Sequence, residues 1–225
     1  MLRPTLAGRQ GGFHLTRVAA YIDGFNLYHG LCSKHSHKYL WLDLELLVTK
    51  LLKPHQELAV VRYFTASVRN DAPALARQSS YLGALDAHAP RLDAHAPRLD
   101  IRLGRFQEKS LRCHQCGAAW RTYEEKETDV SIAVAVVEDA ATDLFDVALL
   151  VSADSDLCPA IRAVRRIDPE KKVIAAFPPR RRSDELRRVA DVAFTIGDAN
   201  IRSSLLPDSV RGPAGRVFTR PRSWR

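Results

Sequence analysis

The sequence predicts an α/β protein in which helices cover both faces of a mostly parallel sheet. Predicted strands and helices alternate along the chain, and several of the predicted strands are apolar at nearly every position. Such strands are typical of a parallel sheet, because neither of its faces meets water. With 225 residues, of which 46% are hydrophobic, the chain can bury a sizeable core in one large or two small domains. A disordered or fibrous state is therefore excluded as a description of the whole chain.

The first half of the chain contains three predicted strands and two predicted helices. An apolar run over 17–23 ends at an Asp-Gly pair and predicts a buried strand that enters a turn. Leucines at helical spacing predict a helix over 43–52. Valines and aromatic residues predict a strand over 58–66, and a helix follows over 73–85. Alternating apolar and charged residues predict the third strand over 99–106.

The second half repeats this alternation. A strongly apolar segment predicts the fourth strand over 145–152, and shorter apolar segments predict a fifth over 172–177 and a sixth over 192–196. The predicted helices that accompany these strands are 126–141, 156–167 and 183–190.

We interpret residues 17–206 as one α/β domain, with a flexible N-terminal extension over 1–16 and a basic C-terminal tail over 207–225. Four cysteines are too few for a disulfide scaffold in a chain of this length, and no Asn-x-Ser/Thr site occurs. The sequence contains no apolar run typical of a signal peptide or a membrane span. We therefore expect a soluble, cytoplasmic protein without a membrane partner.

A perfect tandem repeat of seven residues occupies 86–99. Each copy reads Asp-Ala-His-Ala-Pro-Arg-Leu, and its proline, Pro90 or Pro97, excludes a continuous coiled coil. Loops absorb insertions at little entropic cost, so we interpret the repeat as a duplication in a surface connection. We assign His88 and His95 no role.

A Cys-x-x-Cys motif over 113–117 is a candidate zinc-binding hairpin. Cys113 and Cys116 supply two thiols, but a structural zinc site needs four ligands and no second such motif occurs. The remaining ligands would come from His114, from Cys32, His35 and His37, or from another subunit. The alternative is that the two thiols stay reduced or pair with each other.

The charge of the chain is strongly uneven. Its formal net charge is +8, which favours a polyanionic partner such as nucleic acid. Residues 124–156, however, contain ten acids and one base, Lys126, so this block carries −9 and the rest of the chain +17. A basic protein with one concentrated acidic segment is the pattern that needs an explanation.

Four aspartates are candidates for one site. Asp23 ends the first predicted strand, and Asp154 and Asp156 follow the fourth. If the strand order is 3-2-1-4-5, these two strands are neighbours and their carboxyl ends lie together, where α/β sheets collect functional groups. Asp129 begins the inward face of its helix, because apolar residues follow it at helical spacing.

Taken singly, these aspartates also fit ordinary turn and cap positions. Taken together, they predict a bound cation, because two carboxylates about 4 Å apart repel by roughly 4 kcal/mol at an effective dielectric of 20. Oxygen ligands without histidine favour Mg²⁺ or Mn²⁺ over zinc. In a basic protein, such a metal suits phosphodiester hydrolysis: basic side chains hold the backbone, and the metal activates water and neutralises developing charge.

Three motifs make the chain resemble the NYN-domain family of PIN-like ribonucleases. They are Tyr21-Ile-Asp23-Gly-Phe-Asn26-Leu-Tyr28, Glu124-Glu-Lys-Glu-Thr-Asp129-Val and Leu150-Val-Ser152-Ala-Asp154-Ser-Asp156. The resemblance runs from about Val18 to Ile201. It implies a PIN-like three-layer sandwich, with a mostly parallel central sheet in the order 3-2-1-4-5, and metal-dependent cleavage of RNA.

The resemblance also implies roles for individual residues. The acidic metal site of the family is matched by Asp23, Asp129, Asp154 and Asp156. Asn26 matches a position whose amide would orient a carboxylate or the scissile phosphate, and Ser152 matches the small polar residue before the acidic pair. We include both with the catalytic residues. Where the family often has glycine, this chain has Ala153.

Arginines that follow the fourth and fifth predicted strands are the expected RNA contacts. They are Arg162, Arg165, Arg180, Arg181, Arg182 and Arg187. In the tail, Phe218 and Trp224 are available to stack on bases. For any one arginine, a solvated surface position is an equal alternative.

The leading hypothesis is a Mg²⁺- or Mn²⁺-dependent ribonuclease. The alternative is a non-catalytic RNA-binding or regulatory module of the same family, which acts through a protein partner. Under either hypothesis, a homo-oligomer or a complex with a protein partner stays open. A Toprim-like or haloacid-dehalogenase-like phosphatase shares the pair Asp154 and Asp156, but the segment from Asp23 to Asn26 lacks the Asp-x-Asp nucleophile motif. Phosphate-loop and dinucleotide-binding motifs are absent from the sequence.

Overall fold

The computed structural model describes residues 15–89 and 98–225. Most of the predicted N-terminal extension, 1–14, and the centre of the heptad repeat, 90–97, lie outside the described residues.

Nine strands and seven helices are present in the described part of the chain. The strands are β1 (Thr16–Asp23), β2 (Gln56–Ala66), β3 (Leu99–Arg112), β4 (Ala119–Lys126), β5 (Val147–Val151), β6 (Lys172–Phe177), β7 (Val192–Thr195), β8 (Ser209–Arg211) and β9 (Val217–Thr219). The helices are α1 (Gly24–His35), α2 (Leu44–Thr49), α3 (Ala72–His88), α4 (Thr128–Ala141), α5 (Cys158–Ile167), α6 (Asp184–Val189) and α7 (Asp198–Arg202). A short 3₁₀ turn, Ser155–Leu157, precedes α5.

The main sheet has seven strands in the order β4-β3-β2-β1-β5-β6-β7. Six of them run parallel, and β4 pairs antiparallel with β3. The predicted α/β class and three-layer arrangement are confirmed. The five strands of the predicted order 3-2-1-4-5 correspond to β3, β2, β1, β5 and β6 of the structure. This order is correct only in part, because the sheet continues with β4 at one edge and β7 at the other. Charged residues without regular apolar alternation gave β4 no strand signal in the sequence.

Alternate residues of the central strands serve two separate hydrophobic cores. On one face, Val18, Ala20 and Ile22 of β1 pack with residues of α1, α2 and α3. On the other face, Ala19 and Tyr21 pack with residues of α4, α5 and α6. Because both faces are covered, β1 is buried along nearly its whole length, as its continuous apolar sequence predicted.

The polar helix α1 was not predicted. Only Leu27 and Leu31 among its large apolar residues are buried, so its apolar stripe is narrow. The helix begins where it does because the Asp23 side chain accepts a hydrogen bond from the backbone amide of Asn26, at 2.9 Å. The aspartate that ends β1 is therefore also the N-cap of α1.

The C-terminal tail is folded against the domain. Strands β8 and β9 form an antiparallel hairpin beside α3, and Phe218 of β9 fits over Gly83, where a Cβ atom would lie 2.3 Å from its ring. Trp224 is buried against Trp41 and Tyr81, with ring centroids 6.3 and 5.9 Å away. Trp224 is therefore packed within the protein and Phe218 is half-buried against α3, so neither ring extends from a free tail, and stacking of bases on them stays a prediction.

A buried ion-pair network joins α4 to the sheet. The carboxylate of Asp139, in α4, accepts two hydrogen bonds of 2.7 Å from the guanidinium of Arg62 and one of 2.7 Å from the hydroxyl of Tyr21. The same guanidinium donates to Asp100 of β3, also at 2.7 Å. Asp139 is only 7% exposed, so water solvates its carboxylate poorly. The carboxylate of Asp139 and the guanidinium of Arg62 therefore stabilise each other's charge.

Replacement of Asp139 by alanine is expected to lower the free energy of unfolding by about 3–5 kcal/mol, because it leaves the buried charge of Arg62 without its main partner. Urea denaturation followed by circular dichroism measures this loss. The matched control is Glu138→Ala, next to it on the exposed side of α4, which should change stability by less than about 0.5 kcal/mol. Equal losses in the two variants would contradict the role of the network.

Candidate acidic site

The site lies at the carboxyl ends of β1 and β5, which are neighbours in the sheet. Ile22 pairs with Val151, so the next residues along each strand, Asp23 and Ser152, come to lie side by side. The Ser152 hydroxyl donates a hydrogen bond of 2.8 Å to the Asp23 carboxylate. The predicted adjacency of the first strand and the strand before the Asp154 motif therefore brings these two segments together.

Asp23 is held in a fixed orientation. It is 1% exposed, and its Oδ1 accepts from the backbone amide of Asn26. Its Oδ2 accepts from the Asn26 side-chain amide at 2.6 Å and from the Ser152 hydroxyl. Asn26 and Ser152 thus both contact the central carboxylate. Donors to both oxygens of one carboxylate leave it a single orientation, since rotation would break several bonds at once.

The turn after β5 is built by its own side chains. The Ser152 hydroxyl accepts from the backbone amide of Asp154 at 3.0 Å, and Asp154 Oδ1 accepts from the backbone amide of Asp156 at 2.9 Å. Ala153 donates its backbone amide to Asn26 Oδ1 at 3.4 Å. The backbone at Ala153 does not have positive φ, so alanine fits where the family often has glycine.

Asp129 reaches the same edge of the sheet by a different route. Strand β4 runs antiparallel to β3. It ends with Lys126 paired to Arg105, next to the position where β3 pairs with the end of β2. Glu127, with φ at 78°, then turns the chain into α4, and Asp129 lies half-buried in the first turn of this helix. The first part of α4 is thus at the carboxyl edge, and α4 contacts the 3₁₀ turn.

The structure joins some of the predicted site residues more closely than others. Hydrogen bonds connect Asp23, Asn26, Ser152 and Asp154, and Asp156 joins them through its backbone. Within residues 15–89 and 98–225, no three histidine, cysteine or acidic side chains are close enough to form a ready metal-binding group.

The electrostatics of the site fit a hard cation. Burial raises the pKa of Asp23, the hydrogen bonds from Asn26 and Ser152 partly oppose this, and the nearby charge of Asp154 raises it further. Across the described residues, neither Asp23 nor Asp154 nor Asp156 takes part in a salt bridge. Carboxylate oxygens with lone pairs to spare are the donors that Mg²⁺ and Mn²⁺ prefer, so the residues present fit such an ion.

The model of the NYN-domain family matches residues 17–198, which include every residue of the acidic site. The chain belongs to the NYN-domain family. Members of this family are generally PIN-like nucleases, and the resemblance inferred from the three motifs is thereby confirmed.

Two further similarities are more distant. The chain is 29% identical, over 177 aligned residues, to 6-hydroxy-3-succinoylpyridine 3-monooxygenase of Pseudomonas putida; the match covers 66% of this chain and 55% of that protein. This NYN protein therefore spans about half the length of the curated relative. The crystal structure of a protein of unknown function from Vibrio parahaemolyticus is similar with a TM-score of 0.55 and 19% identity, over 88% of this chain and 100% of the other. It supports the fold alone.

The predicted RNA-binding arginines of this NYN domain fall into two groups. Three have acidic partners: Arg162 lies 3.8 Å from Glu185, Arg165 lies 3.2 Å from Asp191, and Arg182 lies 2.7 Å from Asp184. Within the described part of the chain, Arg180, Arg181 and Arg187 form no salt bridge. Arg180 and Arg181 are in the loop that follows β6, at the same edge of the sheet as Asp154.

The Cys-x-x-Cys motif forms the turn between β3 and β4. Cys113 and Ala118 are joined through their backbones at 2.8 Å, and Gly117, with φ at 71°, supplies the left-handed residue of the turn. Backbone amides of Cys116 and Gln115 point at the Cys113 sulfur and lower its pKa. Among the described residues, no third histidine, cysteine or acidic side chain groups with this pair, so zinc binding at Cys113 and Cys116 stays a prediction.

A cavity that the sequence did not reveal lies beside the acidic site. It has a volume of about 520 Å³ and is lined from α1 by Phe25, Tyr28 and His29, among others. These residues have the i, i+3, i+4 spacing of one helix face, so a correct prediction of α1 would have marked an aromatic face.

In the described residues, no helix is both long enough and apolar enough to cross a membrane.

The cysteines are expected to differ in reactivity toward iodoacetamide at neutral pH. Cys113 is accessible and its pKa is lowered, whereas Cys158 is 1% exposed and burial raises its pKa, so Cys113 should be alkylated first and Cys158 last. Mass spectrometry of a time course measures the order. If Cys113 and Cys116 hold no metal, their rates of alkylation should be the same with and without a chelator. Faster labelling after chelation would show that another molecule completes a zinc site on Cys113 and Cys116.

Proposed function

We propose that this protein is a ribonuclease that hydrolyses RNA phosphodiester bonds with Mg²⁺ or Mn²⁺ bound at the acidic site. The observation that carries the proposal is the network in which Asn26 and Ser152 hold the buried Asp23 beside Asp154. It lies at the carboxyl ends of parallel strands, where ligands of open α/β sheets bind, in a chain of a generally nucleolytic family.

The proposed ion would be held by the four aspartates of the acidic site, Asp23, Asp129, Asp154 and Asp156, and binding would have to bring them closer together, since no three of them form a metal-binding group in the described residues. Such an ion neutralises negative charge on the phosphate and makes water a better nucleophile near neutral pH. Asn26 and Ser152 act through Asp23. Their hydrogen bonds favour its charged form against the cost of burial, and they fix the direction of its free lone pairs.

Substrate binding is assigned to the basic side chains around this edge of the sheet. Arg180 and Arg181 have no competing carboxylate among the described residues, so their guanidinium groups are the first candidates for phosphate contacts. Arg187 follows in α6, which contacts the 3₁₀ turn after Asp154. Arg162, Arg165 and Arg182 would have to exchange an acidic partner for phosphate, which reduces their net contribution.

Asp154→Asn is the sharpest test of the acidic site. An asparagine oxygen can still accept from the backbone of Asp156, so the turn is preserved while one negative charge is lost. The rate of cleavage of labelled single-stranded RNA in Mg²⁺ or Mn²⁺ should fall on the order of 100-fold. The control is Glu170→Gln, an exposed acid before β6 at the opposite edge, which should cleave at the wild-type rate.

Equal cleavage by wild type and Asp154→Asn would contradict the proposed site. RNA binding without cleavage by either protein would instead favour the non-catalytic RNA-binding module.

The arginines are tested by the salt dependence of RNA affinity in the absence of divalent ions. Removal of one arginine that binds a phosphate should reduce the slope of log affinity against log salt by about 0.7 for single-stranded RNA. Arg180→Gln and Arg181→Gln should each show this change. Lys172→Gln, at the exposed start of β6 and the opposite edge of the sheet, should leave the slope unchanged. A wild-type slope near zero would remove the electrostatic role altogether.

A further inference from the structure

The cavity of about 520 Å³ lies between α1 and α3, on the face of the sheet opposite α4. Its lining begins at Gly24, the residue after Asp23, and ends at Ser223 and Trp224 of the folded tail. This volume is within the usual range for small-molecule sites, about 300–1,000 Å³. The cavity and the acidic site therefore lie on either side of the first turn of α1.

Aromatic rings form much of the wall. Tyr28, Tyr63, Tyr81 and Trp224 all line the cavity. The position of Tyr81 is fixed, because its hydroxyl donates to the backbone carbonyl of Leu42 at 2.9 Å. Trp224 packs on this ring, so the tail supplies a wall that is already in place before any ligand binds. Walls of this kind complement a flat apolar or aromatic molecule.

The polar groups of the lining are few, and some are already used. The side chain of Gln78 accepts from the backbone amide of Val68 and donates to the carbonyl of Ala66, both at 2.8 Å. No aspartate, glutamate or lysine belongs to the described lining, and its one permanently charged group is the guanidinium of Arg77. In the residues that the structure describes, Arg77 forms no salt bridge.

Arg77 is placed to face a ligand. Ala74, Arg77, Gln78 and Tyr81 share one face of α3, at i, i+3, i+4 and i+7, and all four line the cavity. The charge of Arg77 is felt by the Tyr28 hydroxyl across the cavity, where it opposes the effect of burial on the pKa of Tyr28. A half-buried guanidinium without a carboxylate partner complements an anionic group, and it binds carboxylate or phosphate with strong charge-assisted hydrogen bonds.

We propose that this cavity binds a planar aromatic ring that carries an anionic substituent, with the ring against the tyrosines and Trp224 and the anion at Arg77. Two sources share this chemistry. One is a nucleotide of the RNA substrate, in which case the inference rests on the proposed function. The other is a free aromatic acid, which binds whether or not the protein cleaves RNA.

Calorimetric titrations of the 225-residue chain without divalent metal test the proposal. The probes are uridine 5′-monophosphate and adenosine 5′-monophosphate for the first source, and benzoate and nicotinate for the second. Uridine, adenosine, benzamide and nicotinamide are their uncharged counterparts. At least one anionic probe should bind about tenfold more tightly than its uncharged counterpart.

Two variants locate the binding. Arg77→Gln should lose the tenfold preference for the anion, while Arg69→Gln, an exposed arginine of the preceding loop outside the lining, should keep it. Tyr28→Leu should weaken the charged and uncharged probes alike, because it removes one aromatic wall. Tyr28 is 42% exposed, so its replacement is tolerated by the fold better than that of Trp224.

Binding of nucleotides but not of aromatic acids identifies RNA as the source, and the reverse identifies a free acid. Absence of binding by both classes, or an unchanged preference in Arg77→Gln, overturns the proposal. Asp154→Asn should bind the probes as wild type does. If the protein binds the probes but cleaves no RNA, the proposed cavity site stands and only the proposed ribonuclease function is contradicted.

Discussion

The parallel pairing of β1 with β5 is the constraint on which the site depends. Its register places Asp23 beside Ser152, and the Ser152 hydroxyl then connects the two strand ends by donating to Asp23 and accepting from Asp154. A slip of one residue would turn Asp23 toward the other face and break these bonds. The buried apolar residues of β1 on both faces of the sheet oppose such a slip. Core packing therefore fixes the geometry of the polar site.

The acidic block from 124 to 156 has two physical roles in the structure. Asp139 is paired with Arg62, while Asp143 and Asp146 are paired with Arg17 and Lys171. These carboxylates are neutralised locally and hold α4 and the start of β5 to the sheet. Asp154 and Asp156, which form no salt bridge among the described residues, are at the carboxyl edge. The negative charge at that edge is thus smaller than the net charge of the block indicates, but it is concentrated where a cation is useful.

Sequence patterns predicted the parts of the fold in which local and tertiary signals agree. The apolar strands β1 and β5 and the position of Asp23 at a strand end were predictable, because buried parallel strands are apolar throughout. Helix α1 was not, since its stability comes from an N-cap and from contacts with distant segments. The buried pair of Asp139 and Arg62 has no sequence signal, and neither has the lack of a salt bridge to Arg77 among the described residues, because each depends on residues brought together only by folding.

Helix α1 is tightly packed between the acidic site and the cavity. A Cβ atom at Gly24 would lie 2.6 Å from the backbone oxygen of Phe64, and one at Gly30 would lie 2.8 Å from the backbone oxygen of Pro179. Both glycines therefore allow the helix to pack closely at two points along its length. Since coupling between sites needs an element with two arrangements, a helix clamped in this way transmits little. A free aromatic acid that fits the cavity as it stands leaves Asn26 and Asp23 where they are, so the acid and the proposed ion are expected to bind independently.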